Sequence, residues 1–156
     1  MEPKANDVKA IRVLFFALLI GQVAFALIVS ALVETGLLSN GNNSITSLML
    51  VTIIVLAGST IPASYFLFRK RLAAINPEEE LEKKLESYRA ALILRMALCE
   101  MPTLFAIIIL FITHDRSFLW ITFVLIANFL FIYPTDEKII NQLQLDSSEQ
   151  TALGLD

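Results

Sequence analysis

A single histidine and a single cysteine remove most familiar catalytic groupings at the outset. One histidine, His114, cannot supply a histidine-based metal pair, and its place in a short polar loop leaves it no partners for a triad. One cysteine, Cys99, cannot form an internal disulfide or a metal cluster, and it carries no information about redox compartment. No glycine-rich phosphate loop and no G-x-S-x-G turn is present. Neither an enzyme nor a bound cofactor or metal is expected. Positive charge is not in excess either: 12 Lys and Arg face 15 Asp and Glu, for a net charge of −3. Without a basic face the chain has no electrostatic footprint for nucleic acid. Charge of either sign is scarce, at 17% of residues against about 25% in a soluble domain.

Apolar residues fill the gap, at 56% of the chain where about 45–50% is usual. They are gathered into four runs, at 13–33, 48–68, 90–112 and 118–133. A helix crossing the hydrocarbon core needs roughly 20 such residues. The expected fold is therefore all-α: one domain over residues 1–156, built as a four-transmembrane-helix bundle, with a loop at 69–89 and a tail at 134–156. The first run has a basic start and an Ala24-Phe25-Ala26 pattern suited to cleavage. Its apolar stretch outlasts the roughly 7–15 residues of a signal sequence, so a retained anchor is expected.

Lys and Arg set the orientation. Lys4, Lys9 and Arg12 precede the first run, and Arg69, Lys70, Arg71, Lys83, Lys84 and Arg89 lie between the second and third. The loop from Glu34 to Ser47 has none, and the next loop on that side has only Arg116. Both termini are thus expected in the cytoplasm, with the protein in the bacterial inner membrane. Trp120 and Tyr133 stand near opposite ends of the fourth run, as interfacial aromatics do. Asn42-Asn43-Ser44 matches a glycosylation sequon that matters only in a eukaryotic secretory compartment.

Asn76-Pro77-Glu78-Glu79-Glu80 reads as a helix start, with a cap, a first-position proline and acids in the first turn. No breaker separates Pro77 from Ala90, so the third helix is expected to extend into the cytoplasm. Leu81, Leu85 and Tyr88 form a stripe on it that could dock a protein partner. In the tail, Thr135 is expected to cap a short amphipathic helix over Asp136 to Leu143, with Ile139, Ile140 and Leu143 on one side. The last residues read as frayed.

Glu100 lies near the middle of the third run, where an acidic side chain is costly and marks a functional candidate. Arg95 sits about 140° away around the helix, so it is expected to reach for the headgroups instead. Gln22, Ser59, Thr60, Thr103 and Asn128 occur at similar depth, and with Glu100 they form a candidate intramembrane polar cluster. Its structural role would be hydrogen bonding between helices; its functional role would be a proton or ion site. Pro62 and Pro102 each remove a backbone hydrogen bond inside a run.

The segments ESYRAALILRMALCEMPTLFAIIILFIT and YPTDEKIINQLQL resemble small four-helix membrane proteins of bacterial genomes, a family without an assigned activity. The resemblance implies architecture and an inner-membrane location. Glu100 before Phe105-Ala106-Ile107 has a fainter likeness to the ion-carrying helix of rotor-ring proteolipids, whose glycine-rich packing helix this chain lacks. Two functions follow as expectations: a non-catalytic accessory or scaffold protein, with the lipid bilayer and either a protein partner or further copies of itself around it, or a small proton- or ion-coupled carrier using Glu100.

Overall fold

The computed structural model describes residues 4–35, 43–76 and 78–154. The sequon at Asn42, most of the loop after Glu34, and Pro77 lie outside the described residues. Within them every regular element is a helix: α1 (Lys4–Glu34), α2 (Asn43–Ala73), α3 (Leu81–Thr113), α4 (Ser117–Leu130), α5 (Asp136–Leu143) and α6 (Ser147–Leu153). Three of these, α1, α2 and α3, are long and apolar enough to cross a membrane. The fourth, α4, is apolar but has only 14 residues.

α3 is the axis of the bundle. Leu81, Leu85, Tyr88, Leu92, Met96, Cys99, Thr103, Ala106 and Leu110 follow one another at steps of three or four, and all are buried. That spacing keeps one face turned inward along the whole helix. α1, α2 and α4 pack around it. On α1 the buried positions Val8, Phe15, Gln22 and Val29 repeat at an interval of seven, so one stripe meets α3. On α4 the buried set is Phe118, Thr122, Leu125 and Phe129. The outward faces carry Val13, Ile20, Leu27, Ile54, Val55, Trp120 and Phe123, all strongly exposed. Bare apolar flanks of this extent are compatible with helices that cross a membrane.

Two boundaries differ from the expected ones. The third helix begins at Leu81, not at Pro77. The Asn76 side chain accepts a hydrogen bond from the Glu78 N–H at 3.0 Å, and the Glu79 N–H reaches the Asn76 carbonyl at 3.1 Å. Asn76 therefore closes a turn on its own backbone, a conformation that competes with helix. The fourth helix ends at Leu130, short of the expected 133. Phe131, Ile132 and Tyr133 donate to carbonyls only three residues back, and Pro134 disfavours helical geometry in the residue before it. The Lys138 ammonium then closes the end, donating to the carbonyls of Phe131 and Tyr133, both at 3.0 Å.

The tail is more ordered than its composition suggested. α5 spans the expected residues, and Thr135 Oγ1 accepts from the Lys138 N–H at 3.4 Å. Residues expected to fray instead form α6. Asp146 accepts from the Glu149 N–H at 2.7 Å, and Glu149 Oε2 accepts from the Asp146 N–H at 3.1 Å, a reciprocal capping box. Those hydrogen bonds, first the Glu149 N–H and then the Ser148 hydroxyl, hold the Asp146 carboxyl below its ordinary range. Leu153 is buried, and α6 packs on α1.

Candidate functional site

The buried apolar side chains fall into two clusters. One gathers Phe15, Phe68, Leu85, Tyr88, Met96, Cys99 and Phe129 with the tail residues Ile139, Leu143 and Leu153. The other gathers Val29, Ile53, Ala106, Leu110, Phe118 and Leu125. Between them each of the three long helices places a buried polar side chain: Gln22 on α1, Ser64 on α2 and Thr103 on α3. Glu100 and Asn128 sit at the same junction, both half-buried. A polar belt thus divides the bundle at one depth.

The belt is not a connected network. Thr103 Oγ1 donates to the Cys99 carbonyl at 3.4 Å, and Thr60 Oγ1 to the Leu56 carbonyl at 2.8 Å. Ser59 is exposed and donates to the Leu56 carbonyl at 3.0 Å. Each hydroxyl thereby satisfies itself within its own helix, which is the cheapest solution where water is absent. Ser59 and Thr60 lie beside Leu56 and Ile61, which pack on the second cluster, so they stand off the belt. Among the described residues the side chains of Glu100 and Asn128 have no hydrogen-bond partner. Around α3, Glu100 is turned about 140° from Arg95. The Arg95 guanidinium lies 4.8 Å from the Phe68 ring centre and 5.6 Å from that of Tyr65. Two aromatic faces on α2 hold the charge that was expected to reach for headgroups.

Gln22 is the outlier. It is only 1% exposed, and among the described residues neither its Nε2 nor its Oε1 has a partner. Its depth was legible in the sequence, but its complete enclosure follows from the seven-residue stripe of α1. One contact went unread: Ser64 Oγ lies 3.2 Å from Cys99 Sγ, a buried link between α2 and α3. A lone serine at the edge of an apolar run gives no sequence signal for it.

The Leu81, Leu85 and Tyr88 stripe is already covered. Ile139, Leu143, Leu145 and Leu153 from the tail and Val8 and Ile11 from α1 share its cluster. Lys84 is buried beside it, and its Nζ lies 2.8 Å from Glu149 Oε1. Arg12 pairs with Asp136 at the outer edge of the same surface. At the far end of the bundle His114 closes α3 in a left-handed conformation, φ 54°, while Asp115 accepts from the Ser117 N–H at 2.9 Å and starts α4. Among the described residues no three His, Cys, Asp or Glu side chains are grouped to hold a metal ion. Comparison with family models, with curated proteins and with solved structures finds no match.

Proposed function

We propose that this is a four-span inner-membrane protein with both termini in the cytoplasm, and that it acts as a non-catalytic accessory or scaffold. The observation that carries the reading is the belt itself: polar side chains at one depth, with hydroxyls bonded to carbonyls of their own helices, a single link between helices from Ser64 to Cys99 among the described residues, and no continuous chain of hydrogen bonds that reaches Gln22 or Glu100. Proton carriage requires linked groups that can pass a proton on. The four-span part rests on α4, whose 14 mostly apolar residues in sequence rise about 21 Å and must cross a locally thinned bilayer. The bacterial inner membrane is favoured by the resemblance to small four-helix proteins. A protein partner is left the charged outer face of α3, since its apolar stripe is covered, and self-association is left the bare flanks.

Topology follows from the Lys and Arg asymmetry. With Cys99 replaced by serine, Ser39→Cys should react in whole cells with an impermeant thiol reagent, and Ser87→Cys should react only after the membrane is opened. The reverse pattern overturns the orientation.

The competing carrier reading has one observation in its favour, the unpartnered Gln22 at the depth of Glu100. Liposomes carrying the protein should dissipate an imposed pH gradient no faster than empty ones. A faster decay that Glu100→Gln abolishes would replace the scaffold with a carrier, because an amide cannot titrate there.

A further inference from the structure

α1 and α4 line a lateral groove of about 610 Å³. That is a usual size for a specific small-ligand site. Val23, Ala26, Leu27, Leu119 and Phe123 make its walls, and they are apolar. Its charged lining is confined to one end. Glu34 closes α1 there, and Arg116 precedes α4. They stand on opposite walls, and among the described residues neither is in an ion pair; the ion pairs present are Arg12–Asp136 and Lys84–Glu149. Trp120, 75% exposed, forms the rim.

We infer that this groove holds one bilayer phospholipid whose headgroup carries both a phosphate and a primary ammonium. The apolar walls take an acyl chain. Arg116 receives the phosphate, for which a guanidinium offers a fork of donors. Glu34 receives the ammonium. A headgroup with its two charges separated bridges the walls, which a purely anionic headgroup cannot do without facing Glu34. The short α4 supplies the depth. A bilayer thinned to meet 14 residues brings its headgroups down to the level of Glu34 and Arg116, and Trp120 lies where interfacial aromatics lie.

The inference rests on the membrane-spanning reading, so the two are tested apart. Alkaline carbonate washing of membranes tests the first: a chain released by the wash overturns it. The lipid site is then read on the intact protein by native mass spectrometry in mild detergent. It is supplied with phosphatidylethanolamine, phosphatidylcholine or phosphatidylglycerol. One phosphatidylethanolamine per chain should survive detergent exchange, at several times the occupancy of phosphatidylglycerol. Glu34→Gln should abolish that preference, and Arg116→Gln should lower retention of all three lipids. Val23→Trp fills the groove and should expel the lipid; a melting temperature within a few degrees of the parent shows that the fold survives. Equal retention of the three lipids by the parent, a Glu34→Gln variant that keeps the parent's selectivity, or an Arg116→Gln variant that keeps the parent's retention, overturns the site. So does a dimer that Val23→Trp disperses, because a second copy would then be the occupant.

Discussion

Replacing Glu149 with alanine should release α6 from the base of the bundle and expose part of the stripe it covers. Glu149 makes two contacts at once. Its Oε1 meets the Lys84 ammonium at 2.8 Å, and its Oε2 accepts from the Asp146 N–H at 3.1 Å. The Lys84 side chain is 3% exposed and that of Glu149 17%, so the pair is largely shielded from the solvent screening that weakens surface contacts. Alanine removes the reciprocal half of the capping box and leaves an ammonium buried without a counter-charge. Breaking a buried pair from one side costs about 3–5 kcal/mol. A tail held by a few leucines cannot absorb that, so it should open before the bundle does. Exchange of the α6 amides should accelerate by about two orders of magnitude or more, with the amides of α3 above Leu92 unaffected. The double replacement Lys84→Met with Glu149→Leu removes both charges and fills the space. It should restore protection, because a buried pair seldom outperforms well-packed apolar groups. Unchanged exchange in Glu149→Ala would show that the ion pair does not hold the tail.

The tail also shows where sequence reading reaches and where it stops. Long apolar runs identify α1, α2 and α3, because only length and hydropathy decide whether a helix can lie in lipid. α5 was legible from Thr135 and the spacing of Ile139 and Leu143, which are local signals. α6 carried the same kind of signal, Asp146 three residues before Glu149 with Gly154 after Leu153, but its low hydrophobicity hid it. The burial of Lys84 had no signal, since a lysine among Glu82, Lys83 and Glu86 reads as a solvated face. Its counter-charge, Glu149, comes from α6, 65 residues further along the chain. The turn at Asn76 misled for a related reason. Asparagine caps helices and closes turns by the same side-chain bond, and the sequence alone does not say which.

The polar belt was legible in depth but not in azimuth. Position along an apolar run sets how deep a side chain lies, and of the six residues grouped on that ground Gln22, Glu100, Thr103 and Asn128 lie between the two apolar clusters while Ser59 and Thr60 lie beside the second. Which way each one faces depends on how the helices rotate against α3. The hydroxyls of Ser59, Thr60 and Thr103 did not need to find partners on other helices, because a carbonyl three or four residues back was always within reach. Glu100 and Gln22 have no such local option, since their side chains are too long to fold back comfortably onto the preceding turn. They are therefore the two positions where the belt is energetically exposed.

That exposure fixes the sign of the last result. Gln22 is enclosed with both side-chain polar atoms unpartnered, and a buried donor or acceptor left unmade costs about 1–3 kcal/mol. Methionine has nearly the same length and shape and no such demand. Gln22→Met should raise the stability of the reconstituted protein by about 1–3 kcal/mol, measured by chemical unfolding in mixed micelles. Glu100→Leu should also stabilise, since among the described residues no hydrogen bond is lost and an acidic group leaves the membrane interior. A polar residue at one step of an otherwise apolar stripe fixes register at a cost in stability. Gln22→Met should therefore also broaden the distribution of α1–α3 cross-links, trapped between Phe15→Cys and Leu92→Cys or their neighbours one turn away in a Cys99→Ser background. If Gln22→Met or Glu100→Leu instead weakens the fold by a similar amount, the side chains are bound to one another or to enclosed water, and the belt is a connected polar site. Stabilisation of both variants with a single cross-linked register would leave Gln22 without the register role and Glu100 without a structural one.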